Sequence, residues 1–129
     1  MNKQDHIKYW IESSKLDLAS MKNIFSSGNY DWALFIGHLA LEKVLKALWV
    51  KNNETNFPPK THNLLKIAED AKYILSDSDE LFLNRVNGFQ LATRYPDYKF
   101  EFFKKCTKEY ALENLTKIEE FHLCILQKI

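Results

Sequence analysis

Arg94-Tyr95-Pro96-Asp97-Tyr98-Lys99 gathers a guanidinium, two phenol rings, a carboxylate and an ammonium on one short turn. Arg94 offers a planar fork of donors that fits a phosphate or a carboxylate. Tyr95 and Tyr98 offer ring faces on which a base can stack. Asp97 can accept from a ribose hydroxyl or a base amine. The same residues also have a purely architectural use. Asp97 can cap a following helix, Arg94 can pair with it or with Glu42, and the tyrosines can fill the end of a bundle. The sequence leaves both uses open.

A second group lies on the stretch Trp32 to Val50, which is apolar around most of a helical circumference. A narrow polar stripe of His38, Glu42, Lys43 and Lys46 interrupts it. A helix with one wet side carries a wide charged face, so this one belongs in the middle of a bundle. Glu42 and Lys46 form an i,i+4 pair in the favourable order. His38 and Glu42 have a spacing that can chelate, but they supply two ligands where a metal needs three or four. His6, His62 and His122 have no companion ligand motif. His38 therefore reads as a hydrogen-bonded histidine beside an ion pair, and neither a metal nor a cofactor is expected. No Ser or Cys lies in a nucleophile motif, and the glycines are too scattered to cradle a phosphate. Lys104, Lys105 and Lys108 form a small cluster flanked by Glu101 and Glu109, which reads as a solvated face.

These residues need helices to hold them. Apolar positions Ile7, Ile11, Leu18, Met21 and Phe25 predict a helix over 5–26, with Ser14 in the same register. Gly28 is placed to close it in a left-handed conformation, and Asn29 to cap a helix over 30–52. Residues 52–60 contain Pro58-Pro59 and read as a loop. Thr61 is the expected cap of a short helix over 62–72. Ser76 to Glu80 is a second cap region, opening a helix over 79–93 that packs Phe82, Val86 and Phe89. Pro96 stops that helix and drives Tyr95 out of helical geometry. A last helix runs from 97–100 to about 127. The prediction is an all-α, up-and-down bundle of four to five helices in a single domain, residues 1–129.

The composition agrees: 46% hydrophobic and 27% charged, with three Gly and three Pro. The net charge of +1 argues against a strong hold on duplex nucleic acid, though a local site for a nucleotide or a few bases is compatible with it. Cys106 and Cys124 fall 18 positions apart on the last predicted helix, about 27 Å, too far to bridge. They read as small apolar core residues of a reducing compartment. Without a signal-peptide pattern or an apolar run of membrane length, the protein is expected to be cytoplasmic.

Tyr9-Trp10, Asp17-Leu18, His38 to Ala47, Pro59-Lys-Thr-His-Asn-Leu64 and Arg94 to Lys99 together resemble the HEPN domain, over nearly the whole chain. The resemblance implies a bundle of four or five helices that often forms a homodimer. It implies a partner, a minimal nucleotidyltransferase, often in a toxin–antitoxin pair, and an association with nucleotides or RNA. Some branches are metal-independent ribonucleases that use an Arg-x(4–6)-His motif across the dimer. Here positions 99–101 after Arg94 are Lys, Phe and Glu, and positions 90–92 after Arg85 are Gln, Leu and Ala. The missing histidine weighs against an enzyme, because a tyrosine of ordinary pKa is a poor base at neutral pH.

Three readings follow. The first is a non-catalytic binding module holding a nucleotide or RNA with Arg94, Tyr95, Asp97, Tyr98, Lys43 and Lys46, beside His38 and Glu42. The second is a ribonuclease toxin with a non-standard site. The third is a structural, dimeric interaction module. They differ in whether Arg94 lies in an open cleft near Lys43 or Lys46, or is covered and paired with Glu42.

Overall fold

The structure is a computed structural model describing residues 1–129 apart from the side chains of residues 96–98. Among the described residues there are six helices and no strands: α1 (Lys3–Ser26), α2 (Tyr30–Asn52), α3 (Leu64–Asp70), α4 (Asp77–Arg94), α5 (Pro96–Lys105) and α6 (Lys108–Leu126). The four long helices make an up-and-down bundle, with α3 and α5 as short additions.

The directions follow from contacts at the helix ends. The Lys3 ammonium donates to the carbonyls of Val50 and Asn53, so α1 and α2 are antiparallel. The Lys51 ammonium reaches the carbonyl of Lys128, and Ile118 packs on Gly37, so α6 runs parallel to α2. Phe82 meets Phe121 and Phe89 meets Tyr110, so α4 runs against α6, and hence against α2. Of the 23 residues of α2, 15 are buried, which makes it the central helix that its apolar sequence requires.

Local signals explain most boundaries. Asn2 and Asp5 form a capping box that starts α1, and Gly28 ends it with φ of 83°. Ser76 and Asp79 form a second box that starts α4 at Asp77, two residues before the predicted start. Pro96 opens α5 at a position that needs no N–H, and Tyr95 before it is extended, with φ −108° and ψ 124°.

Four expectations are corrected. Asn63, not Thr61, caps α3: its side chain accepts from the N–H groups of Leu65 and Lys66. Asn29 precedes α2 without a side-chain cap bond. The long final helix is two helices, because the Thr107 hydroxyl accepts the N–H of Tyr110 and restarts the chain after Cys106. The two cysteines therefore lie in different environments. Cys106 is buried, and burial, with Asp31 adding to it, pushes its thiol up to about 12. Cys124 is exposed rather than in the core. No helix among the described residues is long and apolar enough to cross a membrane.

Gly37 sets how closely the helices meet. A Cβ there would lie 2.6 Å from Cδ1 of Ile118 and 2.9 Å from the sulfur of Met21. Gly37→Ala is expected to destabilise the fold by about 1–3 kcal/mol through overpacking. Ile118→Val removes the clashing methyl. In urea unfolding the double variant should be more stable than the two single losses added together. Strict additivity would show that α6 does not set the spacing.

Candidate functional site

Three residues of the polar stripe of α2 are closed to solvent. His38, Glu42 and Lys46 are 0%, 6% and 7% exposed. The Lys46 ammonium lies 3.0 Å from Oε2 of Glu42 and 5.4 Å from the centre of the Trp10 ring on α1. His62, from the segment before α3, puts Nδ1 2.8 Å from Oε1 of Glu42. Its backbone carbonyl accepts from Nε2 of His38 at 2.8 Å. That bond fixes the proton of His38 on Nε2 and leaves Nδ1 bare, 3.9 Å from Oε1 of Glu42 and without a hydrogen-bond partner. Burial lowers the pKa of His38 despite the raising effect of Glu42, so the ring is neutral at pH 7. Among the described residues no three His, Cys, Asp or Glu side chains are arranged to hold a metal. At Glu42 the ammonium of Lys46 already supplies the cation.

Lys43 pairs with Asp17 of α1 at 2.8 Å, each side chain partly exposed. Both lysines expected at a ligand site are thus engaged by carboxylates. Arg94 is elsewhere. Asn87 of α4 lies beside His38 of α2. Arg94 lies seven residues further along α4 and Lys46 eight residues further along the oppositely directed α2. Their separation along the bundle is therefore roughly 20 Å. Arg94 is not paired with Glu42.

Arg94 belongs to an open corner instead. It is exposed at the last residue of α4, next to Tyr95, which is 53% exposed. The Lys99 ammonium, on α5, lies 5.1 Å over the ring of Trp32, itself 44% exposed at the start of α2. Two cationic groups and two accessible rings thus share the α4–α5 corner and the first turn of α2. Asp97 and Tyr98, also expected there, lie outside the described residues. The predicted site residues divide between α2, where buried His38, Glu42 and Lys46 meet the exposed His62 and Lys43 pairs with Asp17, and this corner.

Two participants escaped the sequence reading. His62 completes the Glu42 cluster; its signal in the sequence was its place in the Pro59 to Leu64 motif, which does not say that it meets Glu42. Trp32 supplies a ring to the corner; its signal was a large aromatic at the solvent-facing start of an otherwise buried helix.

A further buried histidine lies between α1 and α6. Nε2 of His122 is 2.9 Å from the hydroxyl of Ser14, which also donates to the carbonyl of Ile11. Burial, with Lys15 adding to it, lowers the His122 pKa to about 4. This is a structural contact, because the hydroxyl is enclosed and bound to the backbone.

Fold and site together describe a small helical-bundle protein with a buried His38–Glu42–Lys46 cluster and cationic and aromatic side chains exposed at the α4–α5 corner. The chain belongs to the HEPN domain family, whose model matches residues 7–129. Its fold is similar to that of TT1696 from Thermus thermophilus, with a TM-score of 0.81 at 20% identity over 100% of both chains. A comparison with curated proteins gives no match.

Two outcomes test the interior. Glu42→Ala leaves buried Lys46 unpaired and is expected to lower stability by on the order of 3–5 kcal/mol in chemical denaturation; a loss under about 1 kcal/mol would refute the pairing. For His122 the folded pKa lies below the unfolded value near 6.5. The unfolded chain therefore binds more protons, and stability falls as pH drops from about 6.5 to 4, by up to about 3 kcal/mol. A His122→Gln variant should lose that part of the acid dependence.

Proposed function

We propose that this chain is a non-catalytic HEPN binding module that takes a nucleotide or single-stranded RNA at the α4–α5 corner and works beside a minimal nucleotidyltransferase, as in a toxin–antitoxin pair. One observation carries the reading. Arg94 and the Tyr95 ring are exposed side by side, with Lys99 held over the exposed Trp32 ring. A guanidinium beside ring faces is the pairing that engages a phosphate and the base attached to it. The interior cluster supports the scaffold role for His38, Glu42 and Lys46, which would hold the bundle that presents the corner. With the lysines of α2 engaged by Asp17 and Glu42, the ligand-binding part of the reading narrows to Arg94, Tyr95, Lys99 and Trp32, with Asp97 and Tyr98 on the same turn.

Titration with ATP and with a short fluorescent oligoribonucleotide tests it, in the presence and absence of a neighbouring nucleotidyltransferase. Arg94→Ala is expected to weaken binding about tenfold and to reduce the salt dependence by about one phosphate contact. Trp32→Ala should weaken the oligonucleotide by about 1–3 kcal/mol through lost stacking. Wild type that binds neither probe in either setting, or an Arg94→Ala variant that binds equally well, overturns the reading.

A further inference from the structure

We propose that the turn after α3 carries an anion site of its own, for a ligand with two linked phosphate groups that straddle Lys72. The inference does not rest on the ligand reading at the α4–α5 corner.

Two helices of this protein end in the same turn. At the end of α1, the N–H of Gly28 donates to the carbonyl of Phe25 and the N–H of Asn29 to that of Ile24. At the end of α3, the N–H of Lys72 donates to the carbonyl of Glu69 and the N–H of Tyr73 to that of Ala68. Both turns need a left-handed residue, with φ of 83° at Gly28 and 65° at Lys72. Glycine takes that conformation without strain, and a lysine pays for it with its Cβ. Lys72 is the one residue other than glycine with positive φ among the described residues. Such strain persists where the surrounding structure holds it, and it gathers at functional positions. Here the hold is explicit. The side-chain amides of Asn52 and Asn53, at the end of α2, donate to the carbonyls of Ala71 and Asp70.

The strained side chain stands between two surface depressions. One, of about 350 Å³, is lined by Lys72 and Lys128. The other, of about 570 Å³, is lined by Lys51 and Lys72. Asn52 lines both. Lys51 donates one proton to the carbonyl of Lys128 at 2.9 Å, which keeps two of its three donors for a ligand. Glu54 is the one carboxylate lining either depression. A third depression that Lys72 borders carries Glu69 and Glu80, so an anion is excluded from that side.

Charge and shape select the ligand. Each of the two depressions presents a pair of ammonium groups, with Lys72 common to both. Ammonium groups act as point charges toward phosphate, whereas a flat carboxylate is matched by a guanidinium fork. Two cations per anionic group suit a phosphate, which carries more than one charge near pH 7. The sharing of Lys72 requires the two phosphates to be joined, as in pyrophosphate. This site is also remote from the corner. Tyr30 and Asn52, at the two ends of α2, stand about 33 Å apart, beyond the reach of one nucleotide.

Titration calorimetry of the full chain in magnesium-free buffer tests the site, with inorganic pyrophosphate, orthophosphate and ATP as probes. Pyrophosphate is expected to bind about tenfold more tightly than orthophosphate. Lys72→Gln should weaken it about tenfold and Lys128→Gln should weaken it as well, whereas Arg94→Ala should leave it unchanged. Lys72→Gly should lose the ligand and raise the urea midpoint of unfolding, because it relieves the strained turn. ATP bound more weakly than pyrophosphate identifies the free anion as the ligand. ATP bound more tightly, and lost in Lys72→Gln, identifies linked phosphates carried by a nucleotide. Wild type that does not prefer pyrophosphate to orthophosphate overturns the proposal, as does a Lys72→Gln or Lys72→Gly variant that binds as well as wild type. Pyrophosphate binding that depends on Lys72, with no nucleotide or oligonucleotide binding that depends on Arg94, removes the corner reading alone. The converse pattern removes this site alone.

Discussion

A carboxylate in the middle of an apolar helix has to be matched by donors brought to it, because an unpaired charge there costs several kcal/mol. Glu42 is that carboxylate. Lys46 reaches it from one turn further along α2, and His62 reaches it from the segment that precedes α3. The second donor has the larger structural consequence. By engaging the His62 side chain with Glu42 and its carbonyl with His38, α2 fixes where residues before α3 must lie. Asn63 then caps α3, and Asn87 of α4 accepts the N–H of Leu64 while donating to the Asn63 side chain. One buried acid thus anchors a chain of hydrogen bonds from α2 through α3 to α4.

That arrangement engages the charged groups of the α2 stripe. His38 is neutral and enclosed, Lys46 is taken by Glu42, and Lys43 by Asp17. Residues that looked like a binding stripe in one dimension are cross-braces in three. The accessible donors and rings are displaced to the end of the bundle, where burial does not require that each find an internal partner.

The architecture was legible because it rests on local signals. The 3.6-residue periodicity, Gly28 and the Pro96 break each act within a few residues, and each determined the element it predicted. The division of the final helix was not legible from periodicity, since apolar spacing continues across Cys106 and Thr107. What decides there is that the Thr107 hydroxyl takes a backbone N–H, an alternative open to any threonine in a helical pattern. The site was half legible for a different reason. Residue type identified Arg94, Tyr95, Glu42 and Lys46 as chemically notable, but whether Glu42 meets Arg94 or His62 depends on contacts separated by 52 and 20 positions in sequence. Periodicity on a single helix carries no information about which of two distant segments arrives.

The same logic explains how the segment that bears the exposed Arg94 comes to have a defined place. Tyr95 before Pro96 is held extended, which fixes the angle at which α5 leaves α4. Phe102 then turns α5 back onto the bundle, its ring 5.6 Å from that of Phe89. Immediately before Arg94, the buried Thr93 hydroxyl donates to the carbonyl of Phe89 and ties the end of α4 to the same packing centre. The backbone that bears Arg94 is therefore positioned by apolar contacts on the covered side of the corner, and the guanidinium is left free of that task. The ordering of this segment is thus completed on folding, by contacts that do not involve the guanidinium.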